Sequence, residues 1–293
     1  MSIDSYRVSF KPVNGYWFTS FLLKSIEGKT GCFTTTLDLG VSTTRVCVEN
    51  GELVVNKLRV NIESVKPSED DRVVLLEESG AIYEVVKHTI MGFYKLKAVA
   101  VDKAPTLEIS GIHMHRITNV DPWTDTLLKV KAARIKRGCR VLDTCMGLGY
   151  TAIASVLRGS NEVYTFEIDE NVIWIAERNP WSRLLAEFSI RVHLGDVTKL
   201  VHYLPSSYFH RIIHDPPRFT RTTGELYSTD FYMELFRVLK PNGLLFHYTG
   251  EPRRHGAPSI LKGIKERLEK AGFRVLRYDE KAQGYVAYKP YSL

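Results

Sequence analysis

The chain is poor in cysteine and nearly devoid of glutamine. Its 293 residues include only Cys32, Cys47, Cys139 and Cys145, with no C-x-x-C pair. That excludes the common zinc and thioredoxin-type spacings and predicts reduced thiols in a cytoplasmic setting rather than a disulfide framework. Gln283 is the single glutamine; scarcity of labile amides is a trait of thermophile proteins. No apolar run reaches the roughly 18 residues of a membrane span. Met1-Ser2-Ile3-Asp4-Ser5-Tyr6 lacks a basic region leading into an apolar core, so no secretory signal is expected. Metal-ligand spacings are missing as well.

What is present is ordinary for a globular protein. Apolar residues make up 44% and charged residues 25%, which argues against disorder. The formal net charge is +7 and it is unevenly placed. Residues 1–110 hold 13 of the 40 basic and 14 of the 33 acidic residues, so the excess positive charge lies wholly in the remainder. A basic surface favours anionic partners, nucleic acid among them.

Residues 1–110 read as a β-rich domain. Thr43–Glu49 and Glu52–Val60 flank Asn50-Gly51, a strong hairpin signal. Val73–Leu76 and Ala81–Val86 flank Ser79-Gly80, and Tyr94–Val101 with Thr106–Ile109 suggests a third pair. No catalytic constellation is visible there. The domain is an accessory sheet or a substrate-recruiting module, in which Tyr16, Trp17 and Phe18 would either stack on bases or fill the core. A short hairpin over Ile109–Ile117 follows. Asp121 and Pro122 then open a helix over Trp123–Lys136, stopped by Gly138.

Residues 111–293 carry the chemistry. Arg140-Val141-Leu142-Asp143 reads as a buried strand, Thr144–Gly149 as a glycine turn, and Tyr150 onward as a helix packing back on the sheet. Gly147 and Gly149 allow a tight turn and close ligand approach, because glycine has no Cβ. Gly147-x-Gly149-x-x-Ala152 fits the dinucleotide signature, with Glu167 about 20 residues on for a ribose contact. Asp143 opposes that ligand, since its charge would repel a pyrophosphate, whereas it would welcome an ammonium. A ligand with a ribose, an ammonium and no phosphate fits better, and S-adenosylmethionine is such a ligand.

Two further strands end in acid. Glu162–Glu167 ends at a carboxylate suited to both ribose hydroxyls. Arg191–Val197 ends in Gly195-Asp196, where Asp196 is an adenine contact or a simple helix cap. His210-Arg211-Ile212-Ile213-His214-Asp215-Pro216-Pro217-Arg218-Phe219 is the second informative stretch. Proline cannot donate to a ladder, so the strand stops at the carboxyl edge of the sheet, where ligands bind. Asp215 and the Pro216 carbonyl offer two acceptors on a corner stiffened by Pro217. They would hold the N–H groups of an amine so that its lone pair faces a methyl donor. Arg218, Phe219, Arg221, Tyr227 and Arg253 flank this corner and suit an acidic or phosphate-bearing substrate.

The glycine turn resembles motif I of the class I S-adenosylmethionine-dependent methyltransferases, with Cys145 in place of the first glycine. His214–Phe219 resembles motif IV of amino-methyltransferases, with Arg218 where an aromatic is usual and Phe219 one position later. Residues from about 110 to 290 resemble an archaeal group of predicted methyltransferases. The features that carry this are Met114-His115-Arg116, Gly147-Leu148-Gly149-Tyr150, Asn179-Pro180-Trp181-Ser182, the Asp215 motif and Phe246-His247-Tyr248. The resemblance implies an α/β, Rossmann-like class I methyltransferase fold with a seven-stranded, mostly parallel sheet beside the N-terminal β-rich domain. It implies S-adenosylmethionine held by Asp143, Cys145, Gly147, Gly149, Tyr150, Thr151, Glu167 and Ile168, with Asp196 and Val197 at the adenine. It further implies catalysis at Asp215, Pro216 and Pro217. The substrate expected is RNA, tRNA in particular, methylated on nitrogen. Aminopropyl transfer to a polyamine, a protein or small anionic acceptor, and a non-catalytic binding module are the alternatives; a dehydrogenase ranks last because of Asp143.

Overall fold

A computed structural model describes residues 2–56, 58–187, 189–250 and 258–291. The chain divides into two units, one of Lys11–Thr124 with Asn171–Leu184, the other of Met1–Phe10, Asp125–Glu170 and Leu185–Leu293. In the first, short runs of branched and aromatic residues form β1 (Gly15–Thr19), β2 (Gly31–Thr35), β3 (Thr44–Glu49), β4 (Glu52–Val55), β5 (Leu58–Asn61), β6 (Val73–Glu77), β7 (Ile82–Glu84), β8 (Val86–Thr89), β9 (Gly92–Lys97), β10 (Thr106–Ile109) and β11 (Ile112–His113). They pair as sheets of order β1-β6-β7, β2-β3-β4-β5 and β11-β10-β9-β8. The helix α1 (Ser20–Ile26) follows β1 and is capped by Thr19, whose hydroxyl accepts from the Leu22 N–H. Phe18, Leu22, Val46, Leu53 and Leu76 share one core.

The three hairpins expected in this region are present, with corrections. The strand expected over Glu52–Val60 is broken into β4 and β5, because Asn56 adopts a left-handed φ of 55°. Trp17 and Phe18 are not available for stacking: they are 1% and 0% exposed, and Trp17 Nε1–H donates to the Arg178 carbonyl at 2.7 Å. Cys32 and Cys47, expected as free thiols, form a disulfide. They face each other directly across β2 and β3, a pairing that needs no short sequence spacing.

The second unit is built on β12 (Arg140–Asp143), β13 (Glu162–Glu167), β14 (Ile190–Leu194), β15 (Phe209–His214), β16 (Leu239–Tyr248), β17 (Arg274–Asp279) and β18 (Gly284–Tyr288). Their order is β14-β13-β12-β15-β16-β18-β17, parallel except for β18. This is the seven-stranded α/β sheet that the motif resemblance implies. The order reverses at β12, so the ends of β12, β13 and β15 form the crevice where ligands bind in such sheets. Around the sheet run α2 (Pro122–Ala132), α3 (Tyr150–Leu157), α5 (Val197–Leu200), α6 (Thr229–Val238) and α7 (Pro258–Lys270), while α4 (Glu170–Glu177) falls almost wholly in the first unit. Its core joins Leu142, Phe166, Ile212 and Leu245 of the strands to Tyr232, Leu235, Ile264 and Leu268 of the helices.

Three boundaries differ from expectation, one being the strand expected over Arg191–Val197, which ends at Leu194 while Val197 opens α5. α2 stops at Ala132, four residues before Lys136, because Arg134 rather than Gly138 takes the left-handed cap with φ 52°. The turn expected at Lys240–Gly243 lies inside β16 as a register shift against β15, with Asn242 left-handed at φ 59°. Among the described residues no helix is long and apolar enough to cross a membrane.

Candidate active site

Three carboxylates stand on adjacent strand ends. Asp143 closes β12, Glu167 closes β13, and Asp215 follows β15. Asp143 is 0% exposed. Its Oδ2 accepts from the Thr165 hydroxyl at 2.7 Å, across the register pair that the two residues form. Its Oδ1 makes no well-formed hydrogen bond, although the Thr151 hydroxyl lies close enough to help lower its pKa. Burial dominates and pushes the acid up to about 8; the Asp215 charge adds to the rise, while Lys129 opposes it.

Glu167 is nearly as buried. Its oxygens accept three backbone N–H groups, from Gly147 at 3.0 Å, Ile168 at 3.0 Å and Asp169 at 3.1 Å. Burial raises its pKa to about 7 against the pull of those donors. The carboxylate therefore braces the glycine turn as well as facing it. In that turn Gly147 and Gly149 have φ of 54° and 75°. At Gly149 a Cβ would sit 2.5 Å from Leu185 side-chain carbons, so the position requires glycine for space as well as for backbone. Tyr150 and Thr151 are buried in the first turn of α3.

Cys145 marks the convergence point. Burial lifts its thiol well above the usual range, and Glu167, Asp143 and Asp215 all push it further. It is a neutral thiol, not a nucleophile. Tyr227, from the loop after β15, is 4% exposed and feels both Cys145 and Asp215. Its hydroxyl donates to the Pro217 carbonyl at 2.7 Å, so it holds the proline corner in place.

Asp215 has a partner that the motif alone does not reveal. Lys129 Nζ donates to its Oδ2 at 2.6 Å. The same ammonium lies 3.1 Å from Asp125 and 4.0 Å from the centre of the Tyr248 ring. The Lys129 and Asp125 side chains are 1% and 0% exposed. Burial alone would lower the lysine pKa, but Asp215 and Asp125 overcome it and hold the ammonium above its ordinary value. Asp215 is thus held as an acceptor-only carboxylate. Asp125 and Lys129 are one helical turn apart on α2, a spacing that in sequence reads as a surface ion pair.

His214 fixes the corner from inside. The Leu226 carbonyl can only accept, so Nε2–H donates to it at 2.9 Å and Nδ1 accepts from the Thr144 hydroxyl at 2.7 Å. Burial keeps the imidazole neutral, far below its usual pKa. It ties the turn after β12 to the loop that bears Tyr227.

The remaining expected residues are more dispersed. Asp196 caps α5, its Oδ1 accepting from the Thr198 N–H at 3.0 Å and hydroxyl at 2.7 Å, and Val197 is buried behind it. Ile168 is 68% exposed at the mouth of β13. Arg218, Phe219 and Arg221 are exposed beyond the prolines. Phe219 packs edge-on against Tyr227 with ring centres 5.3 Å apart. Arg253 lies outside the described residues.

S-adenosylmethionine fits this donor set. A buried carboxylate oxygen without a well-formed partner suits its ammonium, and the glycine turn leaves no side chain in its way. Among the described residues no group of three metal-ligating side chains occurs.

The reversal of strand order at β12, with a glycine turn and three acidic strand ends, defines a protein of the class I methyltransferase fold. No protein-family model matches the chain. It is 46% identical over 224 residues to the uncharacterized protein MJ1233 of Methanocaldococcus jannaschii, covering 74% of this chain and 76% of that one. The chain belongs to the family of that protein. Spermidine synthase from Thermotoga maritima superposes with a TM-score of 0.54 at 17% identity, over 71% of this chain and 75% of the other. A spermidine synthase in complex with the transition-state analogue AdoDATO gives 0.55 at 18% identity, with the same coverage. At such identity the likeness is one of fold.

Proposed function

We propose that the chain is an S-adenosylmethionine-dependent methyltransferase acting on a nitrogen of RNA, a tRNA base in particular. The observation that carries this is the buried Asp143 Oδ1 beside the glycine turn, one strand away from the Asp215 corner. Asp143 would receive the ammonium of the cofactor. Cys145, Gly147, Gly149, Tyr150 and Thr151 would line its amino-acid end, Glu167 and Ile168 its sugar, and Asp196 and Val197 its adenine. The cofactor supplies a methyl group on a sulfonium, open to in-line displacement. Asp215 and the Pro216 carbonyl then orient the N–H groups of the acceptor, and Pro217 stiffens the corner. Because Lys129 already holds Asp215, that carboxylate serves by orientation and charge rather than by taking up a proton. Arg218, Arg221 and Phe219 would meet the substrate outside the corner, as would Arg253. Tyr227 would support them. In this reading residues 111–293 form the methyltransferase domain, and residues 1–110 help to recruit the substrate.

Incubation with labelled S-adenosylmethionine and total tRNA tests the reading. Incorporation that disappears in Asp215→Ala, while S-adenosylhomocysteine still binds, supports it. Binding of the nucleoside without transfer to any RNA counts against it.

A second reading, aminopropyl transfer to a polyamine, is supported by the fold shared with the spermidine synthases. The ammonium of Lys129 argues against it, because a cation 2.6 Å from Asp215 Oδ2 repels a polycationic acceptor at that corner. A preference for the decarboxylated cofactor over S-adenosylmethionine would decide in its favour.

A further inference from the structure

We propose that a cavity between the end of α2 and the β17–β18 turn binds a backbone phosphate of the RNA substrate. This rests on the methyltransferase reading with RNA as acceptor, and adds to it a site that anchors the chain. The cavity measures about 420 Å³. Lys131 and Arg134 contribute to it from α2, Arg277 and Lys281 from the hairpin, with Leu128 beside them and Asp279 as the only acid of the lining.

Asp279 is the partner of one of those cations. Its Oδ2 accepts from Arg277 at 3.1 Å, and its Oδ1 accepts from the Ala282 N–H at 3.1 Å, closing the turn. No ion pair holds Lys131 or Arg134 among the described residues. A guanidinium and ammonium groups facing one hollow are the donors that a phosphate calls for, and they repel a polyamine.

The cavity lies at the edge of the sheet that bears the chemistry. β18 runs antiparallel, and its first residue, Gly284, pairs with both Tyr248 at the end of β16 and Asp279 at the end of β17. The turn joining β17 to β18 therefore emerges at the same carboxyl edge, beside the end of β16, which separates it from β15. α2 spans both features. Lys129 on its buried side grips Asp215, and Lys131, two residues on, faces the cavity. A phosphate held here would deliver a neighbouring base toward the proline corner.

The test is the salt dependence of tRNA binding by the full chain. Lys131→Ala, Arg134→Gln and Lys281→Ala alter exposed side chains. Lys136→Ala and Lys240→Ala serve as controls that remove the same charge near His210, at the start of β15 and outside the cavity lining. Each cavity variant should weaken tRNA binding about three- to tenfold at low salt. One phosphate gives a slope of about 0.7 to 0.9 in log affinity against log salt, so the triple variant should lose about one unit of slope, not three. The controls should keep the slope of the unaltered chain. S-adenosylhomocysteine affinity should not change in any variant.

Cavity variants with an unaltered slope, or controls that lose as much, would overturn the proposal while tRNA methylation by the unaltered chain left the wider reading intact. Absence of tRNA binding and methylation by the unaltered chain, with S-adenosylhomocysteine still bound, would overturn both. Inorganic phosphate is the other probe. If it saturates the cavity and the variants abolish that without affecting tRNA, the site serves a small phosphorylated ligand and the RNA assignment fails.

Discussion

The Lys129→Met substitution tests the buried charge triad directly. The ammonium lies 2.6 Å from Asp215 and 3.1 Å from Asp125. At an effective dielectric of about 20, those distances correspond to roughly 6 and 5 kcal/mol of attraction. Desolvation of three ions opposes this by several kcal/mol each, so the intact triad contributes little net stability. Removing only the lysine keeps the desolvation of two carboxylates and cancels the attraction. The expected loss is about 3–5 kcal/mol, a large share of the roughly 5–15 kcal/mol of a typical domain. The sign with pH follows. Without Lys129 the two buried carboxylates lack their counter-ion, and acid, by neutralising negative charge there, shrinks the loss. Urea denaturation at pH 8 and pH 5 measures both quantities. Methyl transfer should fall by at least 100-fold in the same variant. Adding Asp125→Asn should return part of the stability but none of the activity. A loss under about 1 kcal/mol that is identical at both pH values would refute the triad as a buried, coupled unit.

Asp143 makes cofactor binding pH-dependent. With its pKa near 8, the acid must release close to one proton to meet an ammonium at pH 7. S-adenosylhomocysteine affinity should rise with pH between 6 and 7.5, and calorimetry in two buffers should detect the proton; a flat profile would contradict this, and Asp143→Asn should leave only the shallower dependence due to Glu167, whose pKa is raised to about 7. The same substitution should stabilise the fold at pH 8 but not at pH 4. A carboxyl whose folded pKa is raised favours folding fully below about 4 and loses that contribution as pH climbs to about 8. Thermal melts at the two values check it. Gly149→Ala combines a left-handed backbone with a contact at 2.5 Å to Leu185. It should cost about 2–4 kcal/mol, and adding Leu185→Ala should relieve only the steric share. An exposed turn that tolerates alanine for under 0.5 kcal/mol in denaturation would contradict that geometry.

Much of the sheet was legible because its signals are local. Strands of branched residues ending in Asp143, Glu167 and His214-Asp215 declare themselves within six residues, and the glycine turn and prolines mark which end is the carboxyl edge. Boundaries were less legible where a non-glycine residue took a left-handed conformation, as at Asn56, Arg134 and Asn242. Nothing in their side chains announces it.

The chain by itself therefore determined the order of strands and helices in its C-terminal half and the acids that end them, because hydrophobic period, glycine and proline act over a few residues. Only the tertiary structure decided what those acids touch. Lys129 and Asp215 are 86 positions apart, and a lysine one turn from an aspartate reads as a solvated pair until packing removes the water. Packing likewise sent Trp17 and Phe18 inward and joined Cys32 to Cys47. Burial is a property of the whole fold, and in this protein it raises the pKa of Asp143 and keeps His214 neutral.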